Sequence, residues 1–249
     1  MSAQPKVAFF DLACCEGCQL QVANLGEALL DLLGLVDLVE FRELMSERWE
    51  GGFDLAFVEG SVVNEESEQR LRDIRERSDR LVAYGSCATI GGVNGMKNCR
   101  PLVESQQEVY GEQRAQFPTT RTRALHQVVK VDYFIHGCPI CPDEFLKVFK
   151  SALAGLPYQV PDYAVCVECK FNENVCLYDK GVTCLGPVTR AGCNSWCVNN
   201  GNVCYGCRGL VSNPNQAGAE EVLSLYDLDA KLIANKMLMY NAALELSDE

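Results

Sequence analysis

The stretch Lys6–Val22, KVAFFDLACCEGCQLQV, decides how this chain is read. It begins as a short apolar run of the kind a buried strand uses, then sets Cys14, Cys15 and Cys18 within five positions. Past them, Val22, Leu25, Leu29 and Leu32 recur at three- and four-residue intervals, which predicts one helix with an apolar face. The alternation continues to about Leu156: VDLVEF (36–41), FDLAFVEG (53–60), RLVAYGSCA (80–88) and VDYFIHGC (131–138) read as further strands. Asn64 can cap a helix with Glu65 and Glu66 in its first turn and Arg72, Arg75 and Arg77 later, an order that complements the helix dipole. Its only inward candidates are Leu71 and Ile74, so its charge run reads as a solvated face. Pro142 opens another helix, with Phe145, Phe149 and Leu153 on one side and Gly155 as its stop. Strands alternating with helices predict an α/β domain on a parallel sheet.

From Tyr163 to Gly209 the grammar changes. Eight cysteines fall between positions 166 and 207 among many Gly and Asn, with almost no periodicity. Such a segment cannot bury a core of its own and is expected to need metal to fold. A final helix, with Val222, Tyr226, Leu232, Ile233, Met237 and Tyr240 at suitable spacing, is expected to pack back across the body. The change of pattern divides the chain into 1–160 and 161–249.

The chain has 22 basic and 34 acidic side chains and a formal charge of −12, which would repel a phosphate backbone and argues against nucleic acid as a partner. No uncharged stretch approaches the ~20 residues of a membrane span, so direct membrane insertion is not expected. The opening MSAQPKVAFFDLA has neither an arginine-rich leader nor an apolar signal core, and the expectation is a cytoplasmic protein. Against that background the 15 cysteines stand out: clustered thiols in a reducing compartment more often bind metal than form disulfides. With only His126 and His136 to supply imidazole, the ligands would be almost wholly sulfur.

In an open parallel sheet, every loop leaving the carboxyl ends of the strands faces one crevice. Cys15 and Cys18 follow the first strand, Cys87 the fourth and Cys138 the fifth, so four thiols distant in sequence should converge there. Gly17, Gly85 and Gly137 would leave room for backbone beside a bulky inorganic cluster. In the tail, Cys166, Cys169, Cys176, Cys184, Cys193, Cys197, Cys204 and Cys207 divide into two groups of four. Zinc and [4Fe-4S] clusters both accept four thiolates, and spacing separates them poorly. Three sets of four describe an electron relay if they hold iron and only a staple if they hold zinc. GSCATIGGVNG (85–95) is as rich in glycine as a phosphate loop but lacks GKS or GKT. Glu59 is expected to be a solvated carboxylate near the crevice, and His136 a packed or hydrogen-bonded residue rather than a ligand.

Taken together, CEGC (15–18), GSCAT (85–89), GCP (137–139) and the tail motifs CVEC, CLGPVTRAGC and CYGCRG resemble the small, electron-transferring subunit of [NiFe] hydrogenases. The resemblance runs from about residue 6 to 210. It is greatest to the cytoplasmic group 3 branch, the NAD(P)-linked enzymes and sulfhydrogenases, and next to the F420- and heterodisulfide-reductase-linked ones. It implies a flavodoxin-like domain over 1–160 and a mostly irregular iron-sulfur domain with a C-terminal helix over 161–249, holding three [4Fe-4S] clusters. Cys15, Cys18, Cys87 and Cys138 would hold the proximal cluster, beside a nickel-iron centre on a separate large subunit. Cys193, Cys197, Cys204 and Cys207 would hold the medial one. Cys166, Cys169, Cys176 and Cys184 would hold the distal one, facing a flavin/NAD(P)-binding or ferredoxin-like iron-sulfur partner.

Periplasmic relatives have histidine at the place of Cys166, and often proline with a three-iron cluster at the place of Cys197; both differences point to three [4Fe-4S] clusters here. Cys14, Cys99 and Cys141 remain as ordinary thiols. The related cluster subunit of respiratory NADH:quinone oxidoreductase uses adjacent cysteines at the place of Cys14 and Cys15, but it generally lacks an eight-cysteine tail. The alternatives are therefore a cluster-bearing subunit of a complex-I-like oxidoreductase and a zinc-stapled binding module. A flavodoxin-like FMN carrier is disfavoured, because no Ser/Thr-rich phosphate loop follows the first strand.

Overall fold

The computed structural model describes residues 4–213, 225–226 and 230–245. Five strands, β1 (Lys6–Asp11), β2 (Asp37–Phe41), β3 (Phe53–Glu59), β4 (Ser78–Tyr84) and β5 (Tyr133–Ile135), form one parallel sheet in the order β2-β1-β3-β4-β5. This is the flavodoxin-like order, in which the chain leaves β1 and β3 in opposite directions and opens a crevice between their carboxyl ends. The described helices are α1 (Gly17–Ala23), α2 (Glu27–Leu33), α3 (Glu65–Glu76), α4 (Ser86–Ile90), α5 (Leu102–Tyr110), α6 (Pro142–Ala154), α7 (Val165–Phe171), α8 (Trp196–Asn199) and a C-terminal helix, Ala230–Glu245.

Successive strand residues alternate between two cores. Val7, Phe9, Leu55, Phe57, Val82 and Tyr84 enter one; Ala8, Phe10, Ala56, Val58, Leu81 and Ala83 enter the other. Burial on both faces is why these strands read as unbroken apolar runs. Val22, Leu32, Phe145 and Phe149 from α1, α2 and α6 close the first core. Phe9 stacks on Phe41 and Phe57 with ring centroids 4.5 and 4.7 Å apart, and Phe57 stacks on Phe149 at 5.5 Å. α3 closes the second core through Leu71 and Ile74, its only buried residues. Asn64 caps it: its side chain accepts from Ser67 N at 2.8 Å, and the Ser67 hydroxyl accepts from Asn64 N at 3.1 Å.

Four expected elements differ in their bounds. The single helix from Val22 to Leu32 is two helices, because Gly26 takes φ +61° at the start of α2; Leu25 and Leu29 still pack against the core. The strand expected over 80–88 ends at Tyr84, where Gly85 turns at φ +85° into α4, and the one expected over 131–138 keeps three residues. The C-terminal helix starts at Ala230; Val222 lies outside the described residues, and Tyr226 is exposed in a turn with its hydroxyl donating to Asp179 at 2.8 Å. The helix does return across the body, burying Asn241, Ala242 and Ala243 where Gly91 and Gly95 leave space.

The cysteine-rich segment has a thin core: Val165, Leu185 and Cys204 are buried, with Val188, Ile233 and Met237 packed partly against them. Polar contacts take up the difference. The Glu168 carboxylate accepts from Gly192 N at 2.8 Å and Ser195 N at 3.1 Å, and Leu185 N donates to the Cys204 carbonyl at 3.0 Å. No helix among the described residues is long and apolar enough to cross a membrane. Phe57→Ala, which empties the centre of the stacked aromatics, is expected to cost about 3–5 kcal/mol in a denaturant titration.

Candidate metal centre

Strand β1 delivers Cys14, Cys15 and Cys18 to the carboxyl edge. Glu16 takes φ +61° there, and Cys18 lies buried in the first turn of α1. That turn is held by a neighbouring strand. Glu59, at the end of β3, accepts from Cys18 N at 3.2 Å and from Gln19 N at 3.0 Å. Glu59 is only 2% exposed, which corrects the expectation of a solvated carboxylate; burial raises its pKa, and the two amides oppose that rise. The parallel register Asp11↔Glu59 is the cause, since it sets the carboxylate level with the exit from β1.

The four thiols expected to converge at this edge are electrostatic neighbours. Burial pushes the Cys87 thiol up to about 12, and Cys138 and Cys15 add to the rise; Cys138 likewise acts on Cys18. Glycine makes the approach possible. A Cβ on Gly85 would stand 2.5 Å from Cys18 Sγ, one on Gly92 3.0 Å from Cys87 Sγ, and one on Gly17 3.3 Å from Cys15 Sγ. Gly85 and Gly17 were legible as cradle residues, whereas Gly92 was readable only as part of a glycine-rich loop.

The eight tail cysteines ring two cavities. Cys193, Cys197, Cys204 and Cys207, with Cys138 from the sheet, line one of about 80 Å³. Cys166, Cys169, Cys176 and Cys184 line another of about 40 Å³, where a Cβ on Gly186 would stand 3.3 Å from Cys166 Sγ. Both exceed the roughly 10–15 Å³ that one water requires. Among the described residues, no three of His, Cys, Asp and Glu are grouped tightly enough for one metal ion; the thiols stand around space instead. An all-sulfur donor set around such a cavity, with glycine where a side chain would intrude, fits an iron-sulfur cluster.

Donors to sulfur are already in place. The Gly206 amide is directed at the Cys204 thiol, while the Ser195 amide is taken by Glu168 and the Thr189 hydroxyl by the Leu185 carbonyl. The Cys138 amide is directed at the Cys207 thiol, and Cys204 N donates to Cys184 Sγ at 3.3 Å. Burial pushes Cys166, Cys204 and Cys207 up to about 12, so these thiols are protonated near neutral pH and ionise only as metal displaces the proton.

Cys99 is exposed and Cys141 half-buried at the start of α6; neither lines the two cavities. Cys14 lies close enough to Cys87 and Glu59 to feel both. His136 is buried, its Nδ1 2.9 Å from the Thr89 hydroxyl and its ring stacked on Phe134. The buried Arg208–Glu144 ion pair and the hydrogen bond from the Ser86 hydroxyl to the Cys207 carbonyl were not foreseen. The signal available was a lone arginine, in CYGCRG, directly after the last cysteine.

Comparison with known proteins fits this arrangement. The family described as NADH ubiquinone oxidoreductase, 20 Kd subunit, matches residues 15–152. Sulfhydrogenase 2 subunit delta of Pyrococcus furiosus is 38% identical over 220 residues, 88% of this chain and 92% of that protein. The solved NAD+-reducing [NiFe]-hydrogenase in its H2-reduced state is similar at a TM-score of 0.56 and 27% identity; the match spans 96% of that chain and 64% of this one. The [NiFeSe]-hydrogenase of Dm. baculatum shares the fold at a TM-score of 0.60 and 18% identity, over 88% of this chain and 98% of its own. The chain belongs to the NADH:ubiquinone oxidoreductase 20 Kd subunit family. Within it the chain is a hydrogenase small subunit, one member of an oxidoreductase complex whose catalytic site lies on a partner chain.

The cradle can be tested without assuming which metal it holds. Gly85→Ala, which forces a Cβ toward Cys18 Sγ at a positive φ, is expected to lower the metal bound per complex. Gly26→Ala, also at positive φ but facing open space, should leave it unchanged. Elemental analysis of the purified complex reads both.

Proposed function

We propose that this chain conducts electrons between the nickel-iron site of a hydrogenase large subunit and a flavin/NAD(P)-linked or ferredoxin-like partner, through three [4Fe-4S] clusters, in the cytoplasm. Cys15, Cys18, Cys87 and Cys138 hold the proximal cluster, Cys193, Cys197, Cys204 and Cys207 the medial, and Cys166, Cys169, Cys176 and Cys184 the distal. Residues 1–160 act as the domain that meets the large subunit, and 161–249 as the domain that leads away from it. Bound clusters supply one-electron chemistry at potentials from roughly −700 to +450 mV. The chain's own part is to hold the thiolates, keep water from the buried ones and aim N–H donors at sulfur.

The observation that carries this reading is that eight tail thiols sort into two cavities of four, one of which also includes Cys138. The similarity to a sulfhydrogenase subunit over 88% of the chain supports the hydrogenase assignment. The NAD+-reducing hydrogenase chain leaves about a third of this chain unmatched, so likeness to it supports a nicotinamide-linked partner less directly. A complex-I-like role draws support from the matched family and from Cys14, which adjoins Cys15 and lies near Cys87.

Anaerobic isolation of the native complex, with metal analysis and electron paramagnetic resonance on one sample, tests the proposal. Expected are nickel and, beyond the partners' own, about twelve irons per chain from three four-iron clusters. Cys87→Ala should remove the proximal signal and hydrogen-dependent reduction of the carrier, while Cys14→Ala should keep both. Zinc in place of iron would overturn the relay; loss of the proximal signal in the Cys14 variant as well as in the Cys87 variant would favour the complex-I-like ligand set.

A further inference from the structure

Arg208 directly follows the last cysteine of the tail, yet it is 1% exposed. Its Nε donates to the Ala191 carbonyl at 2.8 Å, and Nη1 donates to the His136 carbonyl at 2.6 Å. The two terminal nitrogens grip Glu144 in a fork, Nη1 to Oε2 at 2.7 Å and Nη2 to Oε1 at 2.8 Å. Ala191 and His136 each stand two residues before a cysteine, Cys193 and Cys138, and Arg208 is itself bonded to Cys207. One guanidinium thus ties together the backbone that presents three thiols, from the sheet and from the tail. Glu144, in the first turn of α6, is 4% exposed and also accepts from the Tyr158 hydroxyl at 3.3 Å. Gly192, at φ +115°, leaves the space the guanidinium fills.

Net stability alone does not account for the charge, since replacing a buried ion pair by well-packed apolar side chains is often neutral or stabilising. What a desolvated cation adds is a field that water does not screen. That field reaches Cys193 and Cys207, and Glu144 opposes it from α6. The other cation close by, Arg190, is paired with Asp162 at 3.5 Å, while His136 is buried as the neutral imidazole. We propose that the Arg208–Glu144 pair sets the reduction potential of the cluster held by Cys193, Cys197, Cys204 and Cys207: Arg208 favours its reduced, more negative form, and Glu144 limits that preference. The inference rests on the assignment of these four cysteines to the medial cluster.

The test is a potentiometric titration, followed by electron paramagnetic resonance, of the intact anaerobic complex bearing Glu144→Gln, Arg208→Gln or Arg208→Lys. Expected are a higher medial midpoint in Glu144→Gln and a lower one in Arg208→Gln. Arg208→Lys, which keeps the charge but loses the fork, should hold its midpoint nearer the unmodified complex than Arg208→Gln does, while melting at a lower temperature. The distal midpoint should not move in any of them. A purely structural pair would leave the medial midpoint in place or shift both glutamine variants the same way, and either result overturns the proposal. If Arg208→Gln fails to assemble, the near-isosteric Glu144→Gln decides alone, and an unmoved or lowered midpoint refutes it. Absence of any reduced-cluster signal from the unmodified complex would instead overturn the cluster assignment, and this inference with it.

Discussion

A sheet buried on both faces has its connections made by helices, and with all five strands parallel the chain returns each time to the same end. Every strand therefore releases its chemistry at one edge. β1 releases Cys14, Cys15 and Cys18, β4 releases Cys87 and β5 releases Cys138, while β3 contributes the carboxylate that holds the first turn of α1. The tail is fastened to that edge as well, through the Ser86 hydroxyl on the Cys207 carbonyl and Arg208 on the His136 carbonyl. If β1, β4 or β5 were reversed, its thiols would move to the opposite end of the sheet.

The tail depends on that attachment because it has little else. A hydrophobic cluster of three buried residues and a set of side chain-to-backbone hydrogen bonds are a small return against roughly 1–2 kcal/mol of backbone entropy per ordered residue. The buried Arg208–Glu144 pair is itself a poor source of net stability, although breaking it from one side costs about 3–5 kcal/mol. Burial holds the Cys166, Cys204 and Cys207 thiols protonated until metal displaces the proton, so four-point attachment to metal is what can fix a segment with so thin a core. The same argument explains why so much of the segment's backbone lies at positive φ: Glu173, Asn194, Ser195, Gly192 and Gly206 bend the chain around cavities rather than along a helix or strand.

What could be read beforehand followed from local rules. The apolar runs with cysteine at their ends placed the four sheet thiols correctly at one edge, because parallel topology leaves them nowhere else to go. The cap at Asn64 and the stop at Gly155 were equally local, each depending on neighbours within four residues. Glu59 was misread because its partners, Cys18 and Gln19, lie some forty residues away, and only the register between β1 and β3 brings them together. Arg208 and Glu144, 64 residues apart, were invisible for the same reason. The break at Gly26 was hidden differently: the apolar spacing of Leu25, Leu29 and Leu32 survives two short helices as well as it would survive one.

The spatial order of the cysteines adds a point that their sequence order conceals. The last four of the chain adjoin the sheet, through the Cys138 amide on the Cys207 thiol, whereas the first four of the tail lie beyond them, reached through Cys204 N on Cys184 Sγ. The tail achieves this by running outward first and folding back, pairing Thr189 with Leu210 and Leu185 with Cys204 on its return. Phe171 and Val175, between Cys169 and Cys176 of the outer four, are 84% and 62% exposed, so that segment presents apolar surface. For a relay, adjacency in space is what matters, because electron transfer weakens steeply with each added gap. A tail that met the sheet with its first cysteines would have placed its last four outermost, without the Arg208 anchor beside the joint. Folding back puts the buried ion pair where the sheet's thiols and the tail's come closest, and leaves the outer set at the end away from the sheet.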